Sequence, residues 1–364
     1  MTSLLEELQM ADAMPKSYLA ASTEELHKRA KQARETLGDQ LYILGHHYQK
    51  DEVIEYADVK GDSLQLSQIA GRQTADYILF CGVHFMAETA DILTEPHQAV
   101  ILPDMRAGCS MADMANIDQT ERAWLELQKL YGDTIVPLTY VNSTAAIKAF
   151  VGRNGGATVT SSNAEEMVEW ALSQKQRMLF LPDQHLGRNT AVKLGIPLEQ
   201  MAVWDPIKQQ LELDCAVEDV QVILWKGHCS VHMNFLSKHV DNLRMKEPDR
   251  NILVHPECTY EVVSASDFAG STKYIIDMIV ASEPGSKWAI GTEMNLVNRL
   301  IKDFPDRDIV SLNPFMCPCL TMNRIDLPHF TWILEELVEG RVLNRIQVDD
   351  KTGVEAKMAL EKML

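Results

Sequence analysis

Three cysteines, Cys109, Cys229 and Cys319, each follow a short apolar segment: Val100–Pro103, Val222–Trp225 and Ile309–Leu312. They stand far apart (229 − 109 = 120 and 319 − 229 = 90), which excludes the close spacing of a zinc finger. Three thiolates from three similar segments suit a shared metal centre, and three sulfur ligands leave one coordination position open for chemistry. Taken singly, a cysteine behind an apolar strand is a small core residue. Recurrence at one address in three repeats points instead to ligation of a cluster. Glycines at Gly108 and Gly227 suggest tight turns that aim the sulfurs. Cys81 and Cys258 read as structural and Cys215, in an acidic loop, as incidental. A structural zinc site would need a fourth ligand, for which His228 and His232 are available.

Polar residues gather where other apolar segments end. His46 and Tyr48 follow Leu41–Gly45, Tyr140 and Asn142 follow Ile135–Thr139, and His255 and Glu257 follow Ile252–Val254. Strand tips are where catalytic acids and bases are expected, and His, Tyr and Glu are the types that move protons. A hydroxyl residue follows each tip: Ser63, Ser161 and Thr272, at 63 − 46 = 17, 161 − 140 = 21 and 272 − 255 = 17 residues. Each can serve as a helix N-cap, and a capped N-terminus presents N–H groups to a carboxylate or phosphate. A second set of tips is Cys81–His84, Pro182–His185 and Gly291–Glu293. Asp183, His185 and Arg188 fit either tip chemistry or a salt-bridged turn. Arg106 and Lys226, beside the cysteines, fit either a phosphate contact or a solvated charge.

The elements that must position these residues alternate short apolar runs with helical stretches, the pattern of α/β lobes with parallel sheets. In such sheets ligands bind beyond the carboxyl ends of the strands. The expected fold is three similar α/β lobes around a pseudo-three-fold axis, with the cluster at the centre. The expected boundaries are a helical N-terminal extension (1–37), lobes at 38–120, 121–237 and 238–345, and a helical C-terminal tail (346–364). The middle lobe is longest because Arg188–Glu218 adds turns and an acidic stretch.

Length and composition agree with this division. The 364 residues are 46% hydrophobic and 24% charged, enough for more than one core. A net charge of −18 without a basic run argues against nucleic-acid or anionic-membrane partners. Met1–Glu7 lacks the basic and apolar regions of a signal peptide, so a cytoplasmic location is expected. An odd count of seven cysteines favours thiols or metal ligands over a disulfide framework.

From about residue 38 to 335 the chain resembles the quinolinate synthase family, iron–sulfur enzymes of de novo NAD synthesis. The resemblance rests on Gly45–Gln49, Ala57-Asp58 with Gly61–Ser63, Tyr140–Asn142, Thr160–Ala164, His255–Cys258 and Gly270–Thr272. The middle insertion and the N-terminal extension resemble the longer bacterial variants. The resemblance implies a 4Fe–4S cluster held by Cys109, Cys229 and Cys319, and condensation of iminoaspartate with dihydroxyacetone phosphate. It implies that His46, Ser63, Tyr140, Asn142, Ser161, His255, Glu257 and Thr272 bind substrate, with Tyr48, Glu257 and His255 moving protons. Functional coupling to an aspartate oxidase is the partner it implies. The segment Met316–Asn323 offers two cysteines, and Cys319 meets the Cys-x-x-Met pattern of the family where Cys317 does not. The alternatives are a diphthamide-synthase-like iron–sulfur enzyme, which would modify a protein, and an iron–sulfur sensor. Neither calls for small-anion tips at His46/Ser63 and His255/Glu257.

Overall fold

The computed structural model describes residues 14–363. Residues 1–13 of the expected N-terminal extension lie outside the described residues; the rest of it forms helices Lys16–Ala20 and Thr23–Leu37. The second helix is amphipathic, burying Leu26, Ala30, Ala33 and Leu37 at helical spacing. Ser22 caps its start by accepting from the Glu25 N–H, and Gly38 ends it at φ +50°.

Three sheets carry the repeat. The first contains β1 (Leu41–His46), β2 (Val59–Gly61), β3 (Tyr77–Cys81) and β4 (Ala99–Ile101) in the order β2-β1-β3-β4. The second contains β5 (Ile135–Tyr140), β6 (Ala157–Val159), β7 (Arg177–Leu181), β8 (Met201–Asp205), β9 (Gln210–Glu212) and β10 (Val222–Trp225) in the order β6-β5-β7-β10-β8-β9. The third contains β11 (Asn251–Val254), β12 (Phe268–Ala269), β13 (Lys287–Gly291) and β14 (Asp308–Ser311) in the order β12-β11-β13-β14. Every pairing is parallel except β8 with β9. The fully buried runs Ile78–Phe80 and Val222–Trp225 are continuous rather than alternating, as expected where both sheet faces are covered.

Two features depart from the sequence expectation. The strands β2, β6 and β12 intervene between the first tips and their helices; at two or three residues they are too short to show a period. The middle insertion contributes β8 and β9 to the sheet edge, beyond the expected turns.

One device repeats in the first and third lobes. Asp58 accepts from the Ile43 N–H at 2.7 Å, and Asp267 accepts from the Ile252 N–H at 2.7 Å. Each carboxylate also pairs with an arginine from the preceding helix, Arg34 or Arg244. Asp58, part of the family-like motif, is thus a strand-edge partner and lies away from the tip. In the middle lobe the matching strand residue is Pro137, which has no N–H to satisfy. Gly156 approaches its carbonyl instead, so closely that a Cβ there would stand 1.8 Å from the Pro137 oxygen.

The chain divides into two compact units. One runs to Cys109 and resumes over Cys319–Val348; the other spans Ser110–Pro318 and continues from Asp349. The first unit holds the β1–β4 sheet, with helix Leu327–Val338 against helix Thr23–Leu37. There, Glu335 accepts from Tyr18 Oη at 2.5 Å and from Arg29 Nε at 2.9 Å. The second unit holds the other two sheets and helix Asp350–Leu360, which buries Ala356, Ala359 and Leu360. That helix lies so close to helix Ala145–Arg153 that a Cβ on Gly152 would stand 1.9 Å from the Glu355 carbonyl oxygen. Gly152→Ala is therefore expected to cost about 1–3 kcal/mol by forcing the backbones apart. A lowered melting temperature checks this; an unchanged one would contradict so close an approach.

Candidate functional site

In the first unit, β1 ends at His46, whose carbonyl accepts from the Gln49 N–H at 3.0 Å. The Tyr48 N–H donates to His46 Nδ1 at 3.2 Å, so a neutral ring carries its proton on Nε2. The Tyr48 ring stands edge-on to His46, with centroids 4.8 Å apart. Gln49 Nε2 donates to the Met322 carbonyl at 3.2 Å, tying this tip to the turn behind Cys319. Cys109 and Cys319 are both partly buried. Arg106 chelates buried Asp104 through its backbone and guanidinium, with contacts of 2.8 to 3.2 Å, and reaches His329 Nε2 at 3.2 Å. Its charge is committed to the loop that carries Cys109.

Helix Ser63–Ala70 is capped by Asp62, which accepts from the Gln65 N–H at 2.9 Å in a reciprocal capping box. In the second unit Ser271 caps helix Thr272–Ala281, accepting from the Tyr274 N–H at 3.2 Å. Asn163, in the N-cap position of helix Ala164–Gln174, accepts from the Thr160 N–H at 2.8 Å. The expected caps Ser63, Ser161 and Thr272 are thus corrected: Ser63 and Thr272 are first helical residues, and Ser161 lies in the turn before its helix. In the first and third cases the preceding residue, Asp62 or Ser271, does the capping, whereas Asn163 turns back on Thr160 and leaves the first turn of its helix without a side-chain cap. Ser161 lines a cavity of ≈ 240 Å³ together with Asn189, Pro256 and Gly270.

The second unit concentrates buried polar groups around Glu257, itself only 3% exposed. Tyr140 Oη donates to Glu257 Oε1 at 2.7 Å. His232 Nδ1 lies 2.8 Å from Glu257 Oε2, close enough for an ion pair yet out of line for a hydrogen bond. The His255 ring stacks on His232 with centroids 4.6 Å apart, and His232 Nε2 meets Thr292 Oγ1 at 3.3 Å. His255 repeats the His46 arrangement: its Nδ1 accepts from the Glu257 N–H at 3.3 Å, and its carbonyl accepts from the Cys258 N–H at 3.0 Å. Each imidazole is thus held in the same way by its own backbone.

Burial alone would raise the Glu257 carboxyl, but His232 and the Tyr140 hydrogen bond outweigh it and hold it below the usual carboxylate range. Burial pushes His255 down to about 3, so its ring is neutral at physiological pH. Asp183, an N-cap accepting from the His185 N–H at 2.9 Å, is pushed well above the usual range by burial and by Glu257. The two buried carboxyls are thus pushed apart in proton affinity, Glu257 below the usual carboxylate range and Asp183 above it. Orphaned buried atoms collect in the same region: Asn142 Oδ1, Asp183 Oδ2, His185 Nδ1 and Asn189 Oδ1. Such groups call for a ligand or ordered water.

Cys229 Sγ, a His232 ring nitrogen and a Glu257 carboxylate oxygen all lie within 4.8 Å of one another. Gly227 carries this loop past the β7 tip, where a Cβ would stand 2.2 Å from the Pro182 carbonyl oxygen. Gly108 has open space around its Cβ position and no left-handed φ, so the expected glycine turn is not required at Cys109. Lys226 is bound by Asp205 at 3.0 Å and Glu212 at 2.7 Å. Cys81 and Cys258 are fully buried, and burial pushes both thiols up. The sequence reading weighed His232 only as a zinc ligand and missed its pairing with Glu257. The Cys229–His232 spacing within one short turn was the available signal.

The three cysteines share a local register. Helices open at Ile117, Ser237 and Leu327, each eight residues on (117 − 109, 237 − 229 and 327 − 319). The carbonyls of Cys229 and Cys319 both accept from the N–H four residues later, and a 3-10 turn begins at His232 and at Met322. Cys317 has no such place and is exposed.

Residues 28–364 match the family described as Quinolinate synthetase A protein. Proteins named quinolinate synthase from Bacillus cereus (strain AH187), Bacillus thuringiensis subsp. konkukian (strain 97-27) and Bacillus anthracis (strain CDC 684 / NRRL 3495) are each 66% identical over 364 residues. Each alignment covers 100% of this chain and 99% of the relative. With the family matched over nearly all of the sequence and the likeness running end to end, the chain belongs to the quinolinate synthetase A protein family.

Proposed function

We propose that this enzyme of quinolinate synthesis condenses iminoaspartate with dihydroxyacetone phosphate, releasing phosphate and water, on a 4Fe–4S cluster held by one cysteine from each lobe: Cys109, Cys229 and Cys319. The observation that carries the reading is the buried, ionised Glu257, held by Tyr140 and His232 beside Cys229. A partly buried cysteine bordered by proton-handling groups fits a cluster ligand at a reactive edge, and the orphaned atoms around it fit a polar ligand. When bound, the cluster supplies an open iron that polarises a carbonyl or hydroxyl oxygen.

The chain's own residues do the rest. Glu257, ionised at neutral pH, accepts protons from carbon or nitrogen during isomerisation and ring closure. Tyr140 passes or holds a proton on Glu257 Oε1. His46 and His255, with Nδ1 occupied by backbone N–H groups, offer Nε2–H to substrate carboxylate or carbonyl oxygen. Tyr48 orients His46. Asn142, Ser161, and the N-termini of helices Ser63–Ala70 and Thr272–Ala281 hold the anionic groups, which the net charge of −18 would otherwise repel. Iminoaspartate is supplied by oxidation of aspartate, and an aspartate oxidase is the expected functional partner in the cytoplasm. No described helix is long and apolar enough to cross a membrane.

Anaerobic protein reconstituted with iron and sulfide should form quinolinate from the two substrates. Full cluster loading without quinolinate would refute the reading. The mixed Cys229–His232–Glu257 donor set also suits a single divalent ion; iron without stoichiometric sulfide would favour that alternative. Ser63→Ala should raise KM about 3–10-fold with little change in kcat, because one neutral hydrogen bond is lost while the helix N–H groups remain. An unchanged saturation curve would remove Ser63 from the binding set.

A further inference from the structure

Asn189 lies on helix Gln184–Lys193, which follows the β7 tip, yet its side chain reaches the tip of β11 in the next lobe. Its amide nitrogen donates to the Pro256 carbonyl at 2.8 Å and to the Cys258 carbonyl at 2.8 Å. Both neighbours are acceptors, so only the amide nitrogen fits there and the orientation of the carboxamide is settled. The residue is 7% exposed, and its Oδ1 is buried with no hydrogen-bond partner among the described residues.

The two carbonyls bracket Glu257. Beyond Val254 the backbone leaves the sheet, and its own anchors at the tip are the His255 N–H on the Gly291 carbonyl at 3.0 Å and the Cys258 N–H on the His255 carbonyl at 3.0 Å. Rotation of the peptide planes on either side of Glu257 would swing its carboxylate away from Tyr140 and His232. One rigid Asn189 amide holds the Pro256–Glu257 peptide through the Pro256 carbonyl and the Cys258–Thr259 peptide through the Cys258 carbonyl, so the Glu257–Cys258 peptide between them is fixed at both ends. We infer that Asn189 is a positioning residue for quinolinate formation, acting through Glu257; this rests on the role proposed for Glu257 above. The same helix is capped by Asp183, whose carboxyl burial and Glu257 push up.

Three measurements test the inference. Backbone amide exchange at His255 and Cys258 in the apoprotein should quicken by about tenfold or more in Asn189→Ala, with the β11–β13 ladder unchanged. In cluster-loaded protein, kcat should fall about tenfold to a hundredfold with KM within a factor of about two, as expected for a misplaced reacting group. In a Glu257→Gln background, Asn189→Ala should add no further loss, because both changes act on one group. Asn189→Asp, which keeps the volume but removes both donors, should reproduce the defect if truncation lowers the folded yield. Unchanged exchange at the two amides, or an equal further loss of kcat in the Glu257→Gln background, would overturn the proposal. If the wild type forms no quinolinate, the functional reading fails while the exchange measurement still decides whether Asn189 clamps the tip.

Discussion

Glu257→Gln should lower kcat by about 10²–10⁴-fold while iron and sulfide content stay at wild-type levels. The substitution preserves shape and can still accept the Tyr140 hydrogen bond through its carbonyl oxygen. It removes the charge that His232 and the Tyr140 hydrogen bond stabilise, and with it the capacity to take a proton. The pH dependence carries the right sign for this account. Because the Glu257 carboxyl is held below its ordinary value, the base is ionised throughout the neutral range. An acid limb of the rate profile near pH 6 therefore belongs to another group. Turnover of the Gln variant at the wild-type rate would make Glu257 a structural residue, and loss of iron together with turnover would place it among the ligands.

Cys319→Ser should abolish cluster loading and reduce turnover to background, whereas Cys317→Ser should retain iron, sulfide and most activity. The family-like Cys-x-x-Met pattern favours Cys319, and the tertiary structure adds an independent argument. A helix opens eight residues after Cys319, as one does after Cys229 and, beyond the short helix Ser110–Asp113, after Cys109. A thiolate must be deprotonated and aimed to ligate, and equivalent backbone paths give equivalent aim. Cys317 is exposed and lies two residues outside that register. Cys109→Ser and Cys229→Ser should fail in the same way as Cys319→Ser, since each removes one of the three thiolates. Paired anaerobic reconstitutions with iron and sulfide analysis check this. The opposite pattern, with loading lost on Cys317→Ser alone, would move the ligand two residues toward the N-terminus.

Much of the architecture was legible because it is local. The apolar runs that became β1, β5 and β11, the polar tips behind them, and the near-equal 17, 21 and 17 spacings all lie within stretches of the sequence where periodicity speaks directly. The longer middle interval has a plain cause: helix Ala145–Arg153 has nine residues where its counterparts Asp51–Ile54 and Tyr260–Ala265 have four and six. Helix caps were less legible. Asp62 and Ser271 are one residue from the hydroxyls chosen by spacing, and only backbone conformation tells which of two adjacent polar residues turns back on the helix.

The sequence by itself determined the three-lobe repeat, the polar residues at the strand tips and the cysteines at equivalent places, because each is written in residue type and short-range order. The tertiary structure alone decided which of those groups meet. Tyr140 and Glu257 are 117 residues apart, and Asn189 and Pro256 are 67 apart, so neither contact follows from any local pattern. Charge state was decided there too. Asp183 and Glu257 are both acidic in sequence, yet burial pushes the first well above the usual carboxylate range while an imidazole and a phenol hold the second below it. Desolvation and neighbouring charge set a side chain's proton affinity, and both exist only once the lobes have packed.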